Sequence, residues 1–234
     1  MTDSVVLSID TASMGGSVWL GKGTTELASV VGDPSVSQST SLLNDINSSL
    51  ERARLKLEDV ELLACASGPG SFTGLRIGIA TLKALAASLE RPCFGISTLY
   101  AVARAAGPSA STVALLPAGR GEVFAQKFLV SNELKVTALD APGHLSPQKL
   151  IERYEPFARL LWAGSGAKAQ REIIQNHAQS AGSTWSFAAE ETNLARHIAA
   201  LALELFESGE IQSPHSLRAI YVRPSDAELN QKCL

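Results

Sequence analysis

The feature that most constrains this chain is the stretch Ser67-Gly68-Pro69-Gly70-Ser71-Phe72-Thr73-Gly74-Leu75-Arg76-Ile77-Gly78. The apolar run Leu62 to Ala66 leads into it and reads as a buried strand; the periodic run Leu75 to Leu89 leads out and reads as a helix. Strand, glycine-rich turn, helix can aim backbone N–H groups at an anion. It can equally be a tight corner that lets the helix pack very close to a neighbour. The glycines Gly68, Gly70 and Gly74 are spaced one residue too far for the dinucleotide fingerprint, and no Gly-Lys-Ser/Thr follows, so this is not a Walker A loop.

The chain around this stretch reads as alternating α and β. Val5 to Ile9 is a central strand. The turn Asp10-Thr11-Ala12-Ser13-Met14-Gly15-Gly16 holds an acid, hydroxyls and glycines. Ser17 to Gly21 and Leu27 to Val31 are strands joined at Gly21-Lys22-Gly23. Leu43, Ile46, Leu50, Ala53 and Leu57 recur at helical spacing and predict a helix over 38–54. Helix 73–89 and a strand from Pro92 to Ile96 follow, then a helix opened by Ser97-Thr98. Gly107 to Ser111 reads as a linker. Beyond it the pattern restarts with strands 113–116, 123–130 and 135–139 and a helix opened by Ser146-Pro147. A strand at 160–163 ends in Gly164-Ser165-Gly166, and helices follow at 168–177 and 193–206. A last strand is expected at 219–222, and a loose polar tail from Pro224. Mixed sheets flanked by helices are therefore expected in two lobes, 1–106 and 107–234.

The helix after the glycine stretch carries two faces. Leu75, Ile79, Leu82, Ala86 and Leu89 form an apolar stripe for its own sheet. Gly74, Gly78, Thr81 and Leu85, with Ala84 and Ser88 beside them, form a small-residue face. An interior glycine costs a helix about 1 kcal/mol relative to alanine, so Gly78 implies a close neighbour. Pattern alone leaves open whether that neighbour is the same chain or a partner.

Chemistry-bearing groups are sparse. His144, His177, His197 and His215 have no metal-ligand spacing, and the three cysteines, Cys65, Cys93 and Cys233, have none either. No nucleophile elbow is present. Asp10 is the acid best placed for a site, though a turn-forming Asp is common. Arg76 and Arg120 could bind phosphate or pair with acids. The net charge of −3 argues against autonomous nucleic-acid binding. Free cysteines, no basic leader and no uninterrupted run of about 18 apolar residues point to the cytoplasm, with no membrane span.

The twelve-residue stretch resembles the signature of the bacterial TsaB (YeaZ) family. Ile9-Asp10-Thr11-Ala12, Gly95-Ile96-Ser97-Thr98-Leu99, Gly121-Glu122-Val123-Phe124, Gly164-Ser165-Gly166 and Tyr221-Val222-Arg223 agree in the same order. The resemblance implies a two-lobe actin-like (ASKHA, ribonuclease H-like) fold. It implies a non-catalytic dimerisation subunit, needed with the paralogue TsaD and the ATPase TsaE for threonylcarbamoylation of N6 of adenosine 37 in tRNAs reading ANN codons. Helices 38–54 and 73–89 would dock TsaD through Leu43, Ile46, Leu50, Gly74, Gly78, Thr81 and Leu85, and could self-pair in a homodimer when TsaD is absent. Asp10, Thr11, Gly68, Gly70, Ser71 and Thr73 would be the vestige of a phosphate loop. No cofactor is expected on this chain; ATP and a metal ion belong to the partner subunits, and tRNA is met through the complex. Two departures stand out: Gln38 where the family often has His, and Pro117-Ala118-Gly119 where it often has Asp-Ala-Arg. Both are expected to strip polar groups from the cleft. The alternative is a small-molecule kinase or ATPase holding phosphates and Mg2+ with Asp10, Thr11 and the Gly68–Gly74 turn; a glycoprotease-like peptidase has no nucleophile or metal pair to support it.

Overall fold

A computed structural model describes residues 3–210 and 212–222. The chain divides into two units: residues 3–101 with 192–220 excepting 211, and residues 102–191 with 221–222.

The first unit is built on a five-stranded sheet in the order β3-β2-β1-β4-β5. Its strands are β1 (Val5–Asp10), β2 (Ser17–Lys22), β3 (Thr25–Val31), β4 (Leu62–Gly68) and β5 (Cys93–Ser97). β1, β2 and β3 form an antiparallel meander, and β4 and β5 continue parallel to β1. The hairpin turns at Gly23-Thr24, with Gly23 at φ 57°, so that Gly21 and Lys22 of the expected corner still belong to β2. Helices α1 (Gln38–Ala53) and α2 (Phe72–Leu89) cover one face, a 3-10 turn at Leu57–Asp59 leading from α1 into β4. There Leu42, Ile46, Leu50, Ile79, Leu82 and Ala86 meet Leu7, Ile9, Leu63 and Cys65 in one core. Burial on both faces explains why β1 and β4 read as nearly continuous apolar runs.

The second unit repeats the plan. β6 (Ser109–Gly119), β7 (Glu122–Val130) and β8 (Val136–Ala138) form a meander, and β10 (Arg159–Ala163) and β11 (Thr184–Phe187) continue parallel to β6. The order β11-β10-β6-β7-β8 is the first sheet's order read from its other edge. β9 (Gly143–Leu145) adds to β7 beside this path. Helices α4 (Pro147–Tyr154), α5 (Ser165–Ala169) and α6 (Arg171–Ala181) lie on the sheet through Leu150, Tyr154, Ala167 and Ile174. Two copies of one mixed-sheet plan, each flanked by helices, are the actin-like α/β class expected from the sequence.

Several expectations need correction. The division falls inside α3 (Thr98–Ala105), not after residue 106, and the last helix α7 (Leu194–Glu207) belongs to the first unit, not the second. Its first turn is tied to the first sheet: Ser8 Oγ donates to the Ala195 carbonyl at 2.5 Å, and Ala195 N donates to Ser17 Oγ at 3.0 Å. The linker at 107–111 is largely strand, since Ser109 opens β6 opposite Val130. The single helix expected at 168–177 is two, α5 and α6, meeting at Gln170. Residues 219–222 are irregular rather than a strand, joined to β4 by one bond from Ile220 N to the Ser67 carbonyl at 2.7 Å. Arg223, the tail from Pro224 and Cys233 lie outside the described residues.

Candidate functional site

The first turn is closed on itself. Asp10 is buried at the end of β1, and its carboxylate accepts from Ala12 N at 2.8 Å, from Ser13 N at 3.3 Å and from the Ser13 hydroxyl. Burial pushes the Asp10 carboxyl above the ordinary range, and the hydrogen bonds from Ser13 and Ala12 pull it partway back. The turn-forming role of Asp10 is therefore realised in full.

The glycine-rich turn packs onto this first turn with no room between them. Ser71 N donates to the Ala12 carbonyl at 2.8 Å. A Cβ on Gly70 would stand 2.6 Å from the Ala12 carbonyl oxygen, and one on Gly74 would overlap the Thr11 carbonyl oxygen. A Cβ at Gly78 would meet the Thr11 hydroxyl. Ser71 caps α2 by accepting from Gly74 N at 3.2 Å. Gly68 takes φ 115° where the chain passes Ile220. Of the phosphate-loop candidates, Asp10, Thr11, Gly70 and Ser71 are brought together, but in direct contact; Thr73 is exposed and Gly68 faces Ile220. The glycines serve as a packing corner. The second unit repeats the device: a Cβ on Gly166 at the start of α5 would stand 2.8 Å from the Leu115 carbonyl carbon of β6.

The same facts correct the docking assignment. Gly74 and Gly78 are buried against Thr11, and Ile46 and Leu50 are buried in the first core, so none of the four offers its side chain or Cα face to a partner. Thr81 and Leu85 are half-buried, and Leu43 is 60% exposed. What α2 does present outward is Thr73, Arg76, Ala80, Ala84, Ala87 and Ser88. Ala80 and Ala87 escaped the sequence reading, although the alanine recurrence at positions 80, 84 and 87 is helical in period. Among the described residues no acid pairs with Arg76; its guanidinium stacks 3.8 Å above the Phe72 ring. Phe72–Leu89, though interrupted by Arg76 and Lys83, is long and apolar enough to cross a membrane by length and composition alone, and a third of it is buried. Its stripe Leu75, Ile79, Leu82 and Ala86 lies within the first unit's core, as a helix docked on its own sheet does.

Between the first turn and α1 lies a cleft of about 190 Å3, open solvent included, lined by Asp10, Thr11, Gly16, Gln38, Ser41 and Asp45 among others. Gln38 corrects an expectation here: its amide enters the cleft, Nε2 donating to the Ser13 carbonyl at 3.1 Å. Pro117-Ala118-Gly119 runs out at the exposed β6–β7 corner, where Arg120 takes φ 53° and Glu122 opens β7 opposite Gly119. No group of three or more His, Cys, Asp or Glu gathers among the described residues.

Fold and site together define an actin-like α/β protein whose glycine-rich turn is a packing corner against the turn after β1. Residues 35–220, more than three-quarters of the chain, match the family model for TsaD, tRNA N6-adenosine threonylcarbamoyltransferase. The threonylcarbamoyladenosine biosynthesis protein TsaB of Buchnera aphidicola is 32% identical over 136 residues, covering 56% of this chain and 65% of that one. TsaB of Escherichia coli is 42% identical over 71 residues, 29% of this chain and 31% of that one. The chain thus aligns to less than two thirds of these relatives' lengths. YeaZ from Pseudomonas aeruginosa superimposes with a TM-score of 0.76 at 23% identity, covering 93% of this chain and 99% of that one. The chain belongs to the TsaD family, in its TsaB (YeaZ) branch.

Proposed function

We propose that this chain is the pairing subunit of the tRNA threonylcarbamoyladenosine machinery, docking a TsaD-type paralogue and working with a TsaE-type ATPase, and that it does no transfer chemistry itself. The observation that carries this reading is the outward face of α2. Ala80, Ala84, Ala87 and Ser88 leave the helix backbone open to close approach, and α1, which packs against α2, carries Leu43 60% exposed. Small outward residues on an apolar helix suit a partner helix laid against them. The closed first turn, the small cleft and the lack of a ligand cluster among the described residues favour a supporting role, leaving ATP and metal to the partners. A second copy of this chain would use the same face when the paralogue is absent. The cytoplasm, where tRNA is modified, is the compartment this role requires.

Reconstitution tests the reading. The cognate TsaD-type and TsaE-type proteins with ATP, threonine-derived substrate and tRNA should modify tRNA only when this chain is added. Equal modification without it would overturn the proposal.

A further inference from the structure

We propose that Lys127, in the second unit, is an amine nucleophile placed to take a small aldehyde as an imine. Val123, Ala125 and Lys127 alternate along β7 and share the face that α4 covers, the first two packed in the core with Leu150 and Tyr154. Lys127 follows them inward and is only 8% exposed. Its Nζ ends 3.1 Å from the centre of the Phe157 ring, which is itself 37% exposed. The stem is thus buried, and the amine emerges at the rim of the core, where a small molecule can reach it. Phe157 is fixed there, its N donating to the Tyr154 carbonyl at 3.1 Å and its carbonyl accepting from Trp185 Nε1 at 2.8 Å.

An ammonium brings three N–H donors, and a lysine this buried is nearly always paired. Among the described residues no acid or carbonyl takes a bond from Lys127 Nζ. Asp140 and Arg153 are the charged groups that face it. Asp140 is engaged: Oδ1 accepts from the backbone N of Lys127 at 2.7 Å, and Oδ2 accepts from the Tyr154 hydroxyl at 3.0 Å and from Arg153 Nη2 at 2.8 Å. The Phe157 ring face returns only part of the hydration that the ammonium gives up. Burial, foremost, lowers the Lys127 amine from the ordinary lysine range; Asp140 opposes this and Arg153 adds to it. Desolvation and a neighbouring cation are the two means by which a lysine becomes an imine-forming nucleophile near neutral pH. In the step, neutral Nζ adds to the aldehyde carbon and a C–N bond forms. The carbonyl oxygen leaves as water with both amine hydrogens, so no oxidant or reductant is needed. The narrow exposure restricts the partner to aldehydes of a few atoms.

The test is reductive methylation of the full chain with limiting formaldehyde, sodium cyanoborohydride reducing each imine as it forms, and peptide mapping by mass spectrometry. At pH 7 Lys127 should be labelled at least fivefold faster than Lys56 and Lys149, which are exposed. The advantage should shrink as the pH rises toward about 10.4, where exposed lysines lose their protons too. Arg153→Gln removes the neighbouring cation and frees Asp140 for the amine. In that variant, once its melting curve shows it folded, labelling of Lys127 at pH 7 should fall at least threefold while Lys56 is unchanged. The wild-type pH profile decides even where the variant does not fold. Labelling of Lys127 no faster than Lys56 and Lys149 at pH 7, a rate advantage that does not change with pH, or an unchanged rate in folded Arg153→Gln overturns the proposal.

Discussion

Gly74 of α2 lies directly against the carbonyl oxygen of Thr11, so close that any Cβ at that position would overlap it. This contact decides what the glycine-rich stretch does. The first residues of α2 rest on the turn after β1, and the space a phosphate would need is filled by backbone. The neighbour is a carbonyl and cannot rotate away. Gly74→Ala should therefore destabilise the first unit in spite of alanine's better helix propensity. The net loss should reach about 2 kcal/mol, overpacking of about 1–3 kcal/mol set against a propensity gain of about 1. Urea unfolding should give a lower midpoint at unchanged slope; an unchanged midpoint would mean that α2 sits farther from Thr11.

Gly78→Leu should fail in the same way. It would overpack the Thr11 side chain inside the monomer. The expected outcome is a loss of roughly 1–3 kcal/mol, read by the same unfolding curve, before any partner is added. A Gly78→Leu variant as stable as the wild type would return this residue to the outer surface.

The course of α7 predicts what truncation does. A chain ending at residue 106 keeps the whole first sheet but loses Ala195, Ile198, Ala199 and Ala202, which are buried in the first unit. It also strips Ser8 and Ser17 of their bonds to Ala195. Circular dichroism should show no cooperative melt for residues 1–106. Joining 1–101 to 192–222 through a flexible linker should restore one. A cooperative melt for the shorter piece would contradict the assignment of α7 to the first unit.

Much of this was legible in the sequence. The strands of the first unit, α1, α2 and the duplicated plan follow from periodicity and turn residues, because each element buries a continuous apolar face. The path of α7 was not, since its stripe of Leu194, Ile198, Leu201 and Leu205 fits either sheet equally well and only the long-range bonds to Ser8 and Ser17 decide. The short strands β9 and β11 carry too few apolar residues to stand out. On α2, the small residues pointing inward at Gly74 and Gly78 and those pointing outward at Ala80 and Ala84 share one helical pattern. The difference is what they meet, and Thr11 is far away in sequence.

The buried thiols predict a pH dependence. Burial pushes the Cys65 thiol well above its ordinary value of 9.0, with neighbouring Cys93 and Asp10 adding to the rise. Above about pH 9 the unfolded chain releases this proton while the folded chain keeps it. The folded state then binds more protons, so stability falls as pH rises, by at most about 1.4 kcal/mol per pH unit for one group. Unfolding measured from pH 8 to 10.5 should show this decline, and Cys65→Ala should flatten it. Equal slopes in the two proteins would show that Cys65 titrates alike in both states. Below pH 8 both Cys65 and Cys93 should react with a thiol reagent only after denaturation.

The central claim is that the outward face of α2 receives a TsaD-type partner. The most direct measurement is the affinity of the cognate TsaD-type paralogue for the wild-type chain and for Ala84→Arg, with folding of the variant checked by its melting curve. Ala84 is exposed, so a long cation there should leave the monomer's stability within about 0.5 kcal/mol. It should still weaken the complex at least tenfold and reduce tRNA modification in parallel. A folded Ala84→Arg chain that binds the paralogue as tightly as the wild type would contradict the account.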